Sequence, residues 1–179
     1  MSSDTTRAQL VLLRAVNVAG NNVIPMVEMR ALMADLGYPD AATYLQSGNV
    51  LVSSDAPGDE LAASVRDGIA DRFGHDVSVL TRTRDDLAYL ITSVPWQYPA
   101  NSSSGIVFMS GPVDPGLDTT VFAPDEAVID GSDIHVDCPT GFGKTKLTVA
   151  WIEKQPGLVG TRRNWKSVKA LHERLEAFE

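Results

Sequence analysis

The chain has 179 residues, 44% apolar and 21% charged, an ordinary globular composition that can fill one large domain or two small subdomains. A formal net charge of −8 argues against sequence-independent binding to nucleic acid, and no apolar run approaches the roughly 18 residues of a membrane span. The single cysteine, Cys138, and the absence of a basic and apolar leader indicate a cytoplasmic protein without disulfides.

The first half of the chain predicts alternating strands and helices. Continuous apolar runs indicate buried strands, and apolar residues at helical spacing before a glycine indicate helices that the glycine ends. The predicted order is a strand at 10–15, a helix from Pro25 to Gly37, a hairpin at 43–53, a helix after Pro57 that ends at Gly74, a strand at 77–80, and a helix opened by a capping box of Thr83 and Asp86.

The second half follows a Pro/Ser-rich segment, 95–104, which is the best candidate for a domain boundary. Its predicted order is a strand at 105–109, a short helix or turn at 114–122, a hairpin at 127–137 across Gly131 and Ser132, a helix at 144–154, a short strand at 158–161 and a helix at 163–176.

Both halves therefore have the element order β-α-β-β-α-β, followed by a helix. This is the split-βαβ, ferredoxin-like arrangement. We predict an α+β fold of two ferredoxin-like halves packed together, with bounds 8–96 and 104–179.

The charge is distributed unevenly along the chain. Residues 1–140 contain seven basic and 19 acidic side chains, whereas residues 141–179 contain eight basic and four acidic ones. The C-terminal segment is therefore expected either to meet an anion or to pair with aspartates of the same chain.

Two polar loops in the first half are candidates for a binding site. The first, NVAGNN, follows a buried strand and precedes a helix, where ligands commonly bind in α/β units, and contains Asn17, Asn21 and Asn22. Asparagines that cap their own loop would explain it equally well. A charge at Arg14, where the first strand ends, is costly unless it is paired.

The second loop is the turn of TYLQSGNV. A two-residue turn at Ser47 and Gly48 would place Gln46 opposite Asn49, with an aromatic and both amides on one face. That face suits either a ligand or an interface. Because first and third strands are neighbours in a ferredoxin-like half, we expect the two loops to share a polar pocket. Its residues would be Arg14, Asn17, Gln46 and Asn49.

Two basic segments of the second half could bind an anion. CPTGFGKTK ends like a phosphate-binding loop, but Cys138 occupies the position of its first glycine, so nucleotide hydrolysis is rejected. Lys144 remains a candidate beside a predicted helix start. In TRRNW, the residues Arg162, Arg163 and Asn164 are placed at another helix start, where a negative partner would be favourable.

The sequence indicates no cofactor and no metal site, because the three histidines are scattered without paired ligand spacing. Cys138 has no adjacent base and is expected to be a buried or half-buried thiol. No residue set meets the geometry of a named reaction, so enzymatic activity is left open.

Three stretches resemble the marker motifs of the bacterial domain-of-unknown-function family 1697 (DUF1697): LLRAVNVAGNN, TYLQSGNV and TRRNW, in matching order and spacing. The resemblance implies an α+β fold of two ferredoxin-like halves and implies little about activity. The first motif of the family usually reads RGINVGGKN. Here Ala15 and Ala19 replace glycines, and Asn21 replaces the basic residue.

These observations favour a binding protein for a small anionic or nucleotide-like ligand. The candidate contacts are Arg14, Asn17, Asn21, Asn22, Gln46, Ser47 and Asn49, with Lys144, Arg162, Arg163 and Asn164 from the second half. The alternatives are an RNA-binding module that uses the sheet face and the basic C-terminal segment, and a structural or oligomerisation module without a ligand.

Overall fold

A computed structural model describes residues 6–97, 103–154 and 157–178. The fold is mixed α+β, with two four-stranded antiparallel sheets and five α-helices in the described chain. The chain divides into two compact units, Met1–Tyr89 with Leu171–Glu179, and Leu90–Ala170. The division falls inside two helices, whereas the predicted boundary lay at 95–104, of which 98–102 are outside the described residues.

The sheet of the first unit has the strand order β2-β3-β1-β4, with every neighbouring pair antiparallel. The strands are β1 (Arg7–Leu13), β2 (Ala42–Thr43), β3 (Asn49–Ser54) and β4 (Val79–Thr83). The helices are α1 (Met26–Asp35), α2 (Gly58–Phe73) and α3 (Arg84–Thr92). β1 and β4 are therefore displaced by two to three residues from the predicted runs.

The core of the first unit lies between one face of this sheet and the helices α1 and α2. Alternate residues of the central strands supply the sheet side, because side chains alternate between faces along a strand. α2 repeats an apolar residue every four positions and thus presents one stripe to the core. The cluster includes Val11, Leu13, Val50 and Val52 with Met29, Met33, Leu61, Val65 and Ile69.

The local signals for the helix ends of this unit are realised. Pro25 precedes α1, and Gly74 ends α2 in the left-handed conformation with a φ of 70°. The Thr83 amide donates to Asp86 at 2.7 Å, and the Asp86 amide donates to the Thr83 hydroxyl at 3.1 Å. This reciprocal pair confirms the predicted capping box at α3.

The sheet of the second unit has the corresponding order β6-β7-β5-β8, again antiparallel throughout. The strands are β5 (Ser104–Met109), β6 (Glu126–Asp130), β7 (Asp133–Asp137) and β8 (Gly160–Asn164). A 3₁₀ turn at Thr120–Phe122 lies where a helix or turn was expected, followed later by α4 (Val149–Glu153) and α5 (Trp165–Glu176). Gly131 and Ser132 form the predicted two-residue turn between β6 and β7.

α4 is much shorter than the predicted helix at 144–154. Threonine hydroxyls take up backbone amides ahead of it: Thr145 accepts from the Leu147 amide at 3.0 Å, and Thr148 caps the helix by accepting from the Trp151 amide at 3.1 Å. This local bonding competes with helix formation. The core of this unit packs Val107, Met109, Ile134, Val136, Cys138, Leu147 and Ile152 together.

Among the described residues, none of the helices combines the length and the apolar character that crossing a bilayer requires.

Candidate functional site

The NVAGNN loop is a miniature β-hairpin that follows β1. The Asn17 amide donates to the Asn22 carbonyl at 3.2 Å, and the Asn21 amide donates to the Val18 carbonyl at 2.8 Å. Ala19 and Gly20 form its two-residue turn, and both have positive φ, 48° and 78°. Positive φ at both central positions is the requirement of a type I′ turn. We call residues 15–22 the tab.

The Asn17 side chain links the tab by hydrogen bonds to Ile24 and to Gln46 in the turn of the second motif. Its Oδ1 accepts from the Ile24 amide at 2.8 Å, and its Nδ2 donates to the Ile24 carbonyl at 2.9 Å. The same Nδ2 donates to the Gln46 carbonyl at 2.7 Å. Asn22 similarly donates to the Ala15 carbonyl at 3.1 Å. The side-chain amides of Asn17 and Asn22 thus form hydrogen bonds with backbone groups, as the asparagines of a self-capped loop do.

The turn of the second motif is longer than predicted. Thr43 pairs with Val50, and the Tyr44 amide donates to the Asn49 carbonyl at 2.9 Å, so residues 45–48 form a four-residue turn. The predicted two-residue turn, with Gln46 opposite Asn49, is therefore wrong by two residues of register.

Gly48 explains this register. Its carbonyl accepts from the Leu13 amide at 2.9 Å, and a Cβ at position 48 would lie 2.6 Å from Val16 Cγ2 and 2.7 Å from Leu13 Cβ. The turn is thus pressed against the end of β1. Only a residue without a side chain fits so close an approach, and the φ of 87° also favours glycine.

The side chains of QSGN have different surroundings. Gln46 and Ser47 are exposed, whereas Asn49 is fully buried. The Asn49 Nδ2 donates to the Tyr44 carbonyl at 2.7 Å and to the Ser47 hydroxyl at 3.2 Å. Asn49 therefore holds the turn from inside, while Gln46 and Ser47 face solvent.

Backbone strain concentrates in these two loops. Five residues other than glycine have positive φ in the described chain, namely Ala15, Asn17, Ala19, Asn22 and Leu45, with φ between 46° and 58°. The left-handed region costs a residue with a Cβ about 1–2 kcal/mol. The two alanines stand where the family motif has glycines, and their positive φ gives a conformational reason for glycine in the motif.

Arg14 lies between β1 and the tab and is half-buried. Its amide donates to the Ser78 carbonyl at 3.0 Å, which fixes the backbone there. The structure thus brings Arg14, both asparagines of the tab ends and the 45–48 turn to one end of the first sheet. We call residues 14–22 with 45–49 the loop platform.

The basic residues of TRRNW are arranged differently from the prediction. Arg162 and Arg163 lie in β8 and not at a helix start, so their side chains point to opposite faces of the sheet. Asn164 does precede α5, and its Oδ1 accepts from the Ser167 amide at 2.8 Å. The two side chains therefore diverge and do not cluster at a helix start as predicted.

Each arginine has its own environment. Arg162 stacks over the Phe142 ring, 3.9 Å from the centroid. Arg163 is 7% exposed and donates to the Thr161 hydroxyl at 2.6 Å and to the Arg162 carbonyl at 2.9 Å. Burial lowers the pKa of Arg163 to about 10. Arg163 therefore lies in the interior of the second unit, where it bonds neighbouring residues of β8.

Sequence reasoning missed a buried carboxylate that organises the Lys144 loop. Asp125 is 4% exposed and accepts from the Thr140 amide at 3.2 Å and from the Thr140 hydroxyl at 2.5 Å. Burial acts to raise the pKa of Asp125, but hydrogen bonds from Thr140 and Thr145 outweigh it and lower the pKa. Only its position after a proline marks Asp125 in the sequence, which is a weak signal.

Lys144 is exposed in the turn before α4 and lines a cavity of about 240 Å³ together with Asp125 and Lys146. Cys138 is buried, as expected, and burial raises the pKa of its thiol. A buried thiol of raised pKa is a poor nucleophile. Within the described ranges, no group of three or more His, Cys, Asp or Glu side chains is placed to hold a metal ion.

Comparisons with known proteins identify the family of this chain. In fold, the chain is similar to a conserved bacterial protein from Streptococcus pneumoniae, with a TM-score of 0.68 and 20% identity over 95% of this chain and 99% of that one. No curated protein matches the chain. A family model described as "Protein of unknown function (DUF1697)" matches residues 7–132. The chain therefore belongs to the DUF1697 family.

Proposed function

We propose that this protein binds a small anionic ligand at the loop platform. The observation that carries the proposal is the concentration of left-handed residues in two hydrogen-bonded loops at one end of the first sheet. Strained backbone persists only where the surrounding structure over-determines it, and it clusters at ligand clamps and active sites. A loop that served only as a connection would gain stability from glycines or a relaxed path.

The platform divides its polar side chains between two tasks. Asn17, Asn22 and Asn49 bond backbone groups and keep the shape of the loops. Asn21, Gln46 and Ser47 are the exposed members. Arg14 supplies the positive charge, and its guanidinium suits a carboxylate or phosphate. The proposed ligand contacts are therefore Arg14 and the three exposed members.

The RNA alternative finds no support in the sheet faces. Every residue of β5 is buried, and five of the six residues of β3 are buried. A four-stranded domain that stacks bases on its sheet needs exposed aromatic side chains on that face. The basic C-terminal segment also places Arg162 and Arg163 on opposite faces.

The finer fold assignment belongs to the same proposal. We propose that each unit is a ferredoxin-like unit, with the first crossover helix of the second unit reduced to a 3₁₀ turn. The strand orders β2-β3-β1-β4 and β6-β7-β5-β8 support it.

A thermal-shift panel of phosphate, nucleotides, sugar phosphates and acidic metabolites tests the function. A ligand at about 100 times its Kd adds roughly 2.7 kcal/mol of stability, which is a readily measured shift. We expect a selective shift that Arg14→Gln abolishes and Gln46→Ala reduces. Arg66→Gln is the matched control, because Arg66 is exposed on α2 in an ion pair with Asp76.

Asn21→Lys provides a second test, since it restores the basic residue of the family motif. It should strengthen binding of the same anion. A panel without a selective shift, or a shift that survives Arg14→Gln unchanged, would overturn the proposed function.

A further inference from the structure

We propose that the first unit has a second anion-binding site, a cavity beside the start of β1, for a small ligand that carries a carboxylate or phosphate group. The cavity has a volume of about 320 Å³, which is within the range of small-molecule sites. The side chains that matter are two arginines, three hydroxyls and one aromatic ring: Arg7, Arg84, Thr6, Ser53, Thr83 and Phe178.

This cavity is separate from the loop platform. β1 runs from Arg7 to Leu13, and a strand of that length places about 20 Å between its two ends. Arg7 lies at the first end, whereas Arg14 and the tab follow the second. A ligand in the cavity therefore meets none of the platform residues, and the two sites can be tested independently.

Two arginines line the same cavity in a chain with a net charge of −8. Arg84 lies 3.8 Å from the Asp85 carboxylate, and the two side chains are 54% and 92% exposed. An ion pair that is so exposed to solvent contributes little to the stability of the fold. Within the described ranges, neither Arg7 nor Arg84 makes a closer ion pair. Each planar fork can therefore turn to an incoming carboxylate or phosphate.

The site does not depend on the N-terminus of α3. The capping box already occupies the amides of Thr83 and Asp86. Recognition would come from the two arginine side chains, with hydroxyl groups of Thr6 and Ser53 as further donors and the Phe178 ring as an apolar wall. An anion with an aromatic group is thus expected to bind more tightly than the bare anion.

Asp85 permits a sharper test, because it lines the same cavity and its carboxylate lies 3.8 Å from Arg84, where it would compete with a ligand. Replacing it by asparagine removes the competitor and the repulsion while keeping the shape. Asp85→Asn should therefore tighten anion binding about two- to fivefold. A site for a cationic ligand would respond in the opposite direction.

Isothermal titration of the full chain with inorganic phosphate, citrate and phenyl phosphate tests the site. We expect phenyl phosphate to bind more tightly than phosphate. It should bind at least about tenfold more weakly to the Arg7→Gln/Arg84→Gln double variant than to the wild type, and as tightly to Arg66→Gln as to the wild type. Thermal unfolding of each variant checks that the fold is retained.

Three results would overturn the proposal. They are no binding of any of the three anions to the wild type, unchanged binding in the double variant, and weaker binding in Asp85→Asn. Binding that is lost in Arg14→Gln and kept in the double variant would assign the ligand to the loop platform alone. Binding with the reverse pattern would support the cavity whatever the outcome for the platform.

Discussion

The tab contains an alanine whose backbone conformation is strained. Ala19 has a φ of 48° at the first central position of the type I′ turn and is exposed. The left-handed region costs alanine about 1–2 kcal/mol, and glycine loses about 0.5–1 kcal/mol more chain entropy on folding. The difference predicts that Ala19→Gly raises the free energy of unfolding by about 0.5–1 kcal/mol.

Urea unfolding measures this change, and a thermal scan should show the melting temperature rise by about 2 °C. Ala63→Gly is the matched control, because Ala63 is exposed within α2 and the same substitution in a helix costs about 1 kcal/mol. The two variants should move in opposite directions. If Ala19→Gly were as destabilising as Ala63→Gly, the assignment of strain to the tab would be refuted.

Three further substitutions test individual contacts within the units, and urea unfolding measures the effect of each. Asn17→Ala removes three hydrogen bonds and leaves the amide and carbonyl of the buried Ile24 without this partner, so we expect a loss of about 2–3 kcal/mol. Gly48→Ala forces a Cβ to within 2.6 Å of Val16 at a φ of 87°, and should cost about 3 kcal/mol. Because the folded-state pKa of Asp125 is lowered, its contribution is present above the ordinary carboxyl pKa and is lost as the pH falls. Thr140→Val should therefore reduce the stability that is lost as the pH falls from about 5 through the lowered pKa of Asp125, and an unchanged dependence on pH would contradict this account.

Much of the fold could be predicted because local signals and tertiary structure agree. The apolar repeat of α2 ends at Gly74, which is left-handed as a helix-ending glycine should be. The β6–β7 hairpin has its predicted register, since Gly131 at a φ of 62° permits a tight two-residue turn. In both cases a glycine occupies the place where only glycine is unstrained.

The hairpin of β2 and β3 shows why a local sequence signal can disagree with the structure. Ser47-Gly48 has the composition of a two-residue turn, yet the turn spans 45–48 with Leu45 at a φ of 58°. The register is fixed by the contact of Gly48 with Leu13 and Val16, which are more than 30 positions away in the sequence. Long-range packing of this kind leaves no local pattern.

The second-half arginines illustrate a related difficulty. Moving the end of β8 to Asn164 turns a helix start into a strand, and a strand separates neighbouring side chains onto opposite faces. The apparent cluster of Arg162 and Arg163 thus disappears with a shift of only a few residues. Asn164 carried the usable signal, because asparagine is a preferred N-cap and the structure uses it as one.

The polar composition of the two loops has two causes that residue type alone cannot separate. Asn17 and Asn49 would be chosen for their backbone bonds even if the protein bound nothing. The alanines have no such role: they add strain at positions where glycine would relax the chain. Stiffness is a stability cost, but it is useful if Gln46 and Ser47 must hold one arrangement beside Arg14. The backbone angles, more than the amides, therefore support the proposal that this end of the sheet binds a ligand.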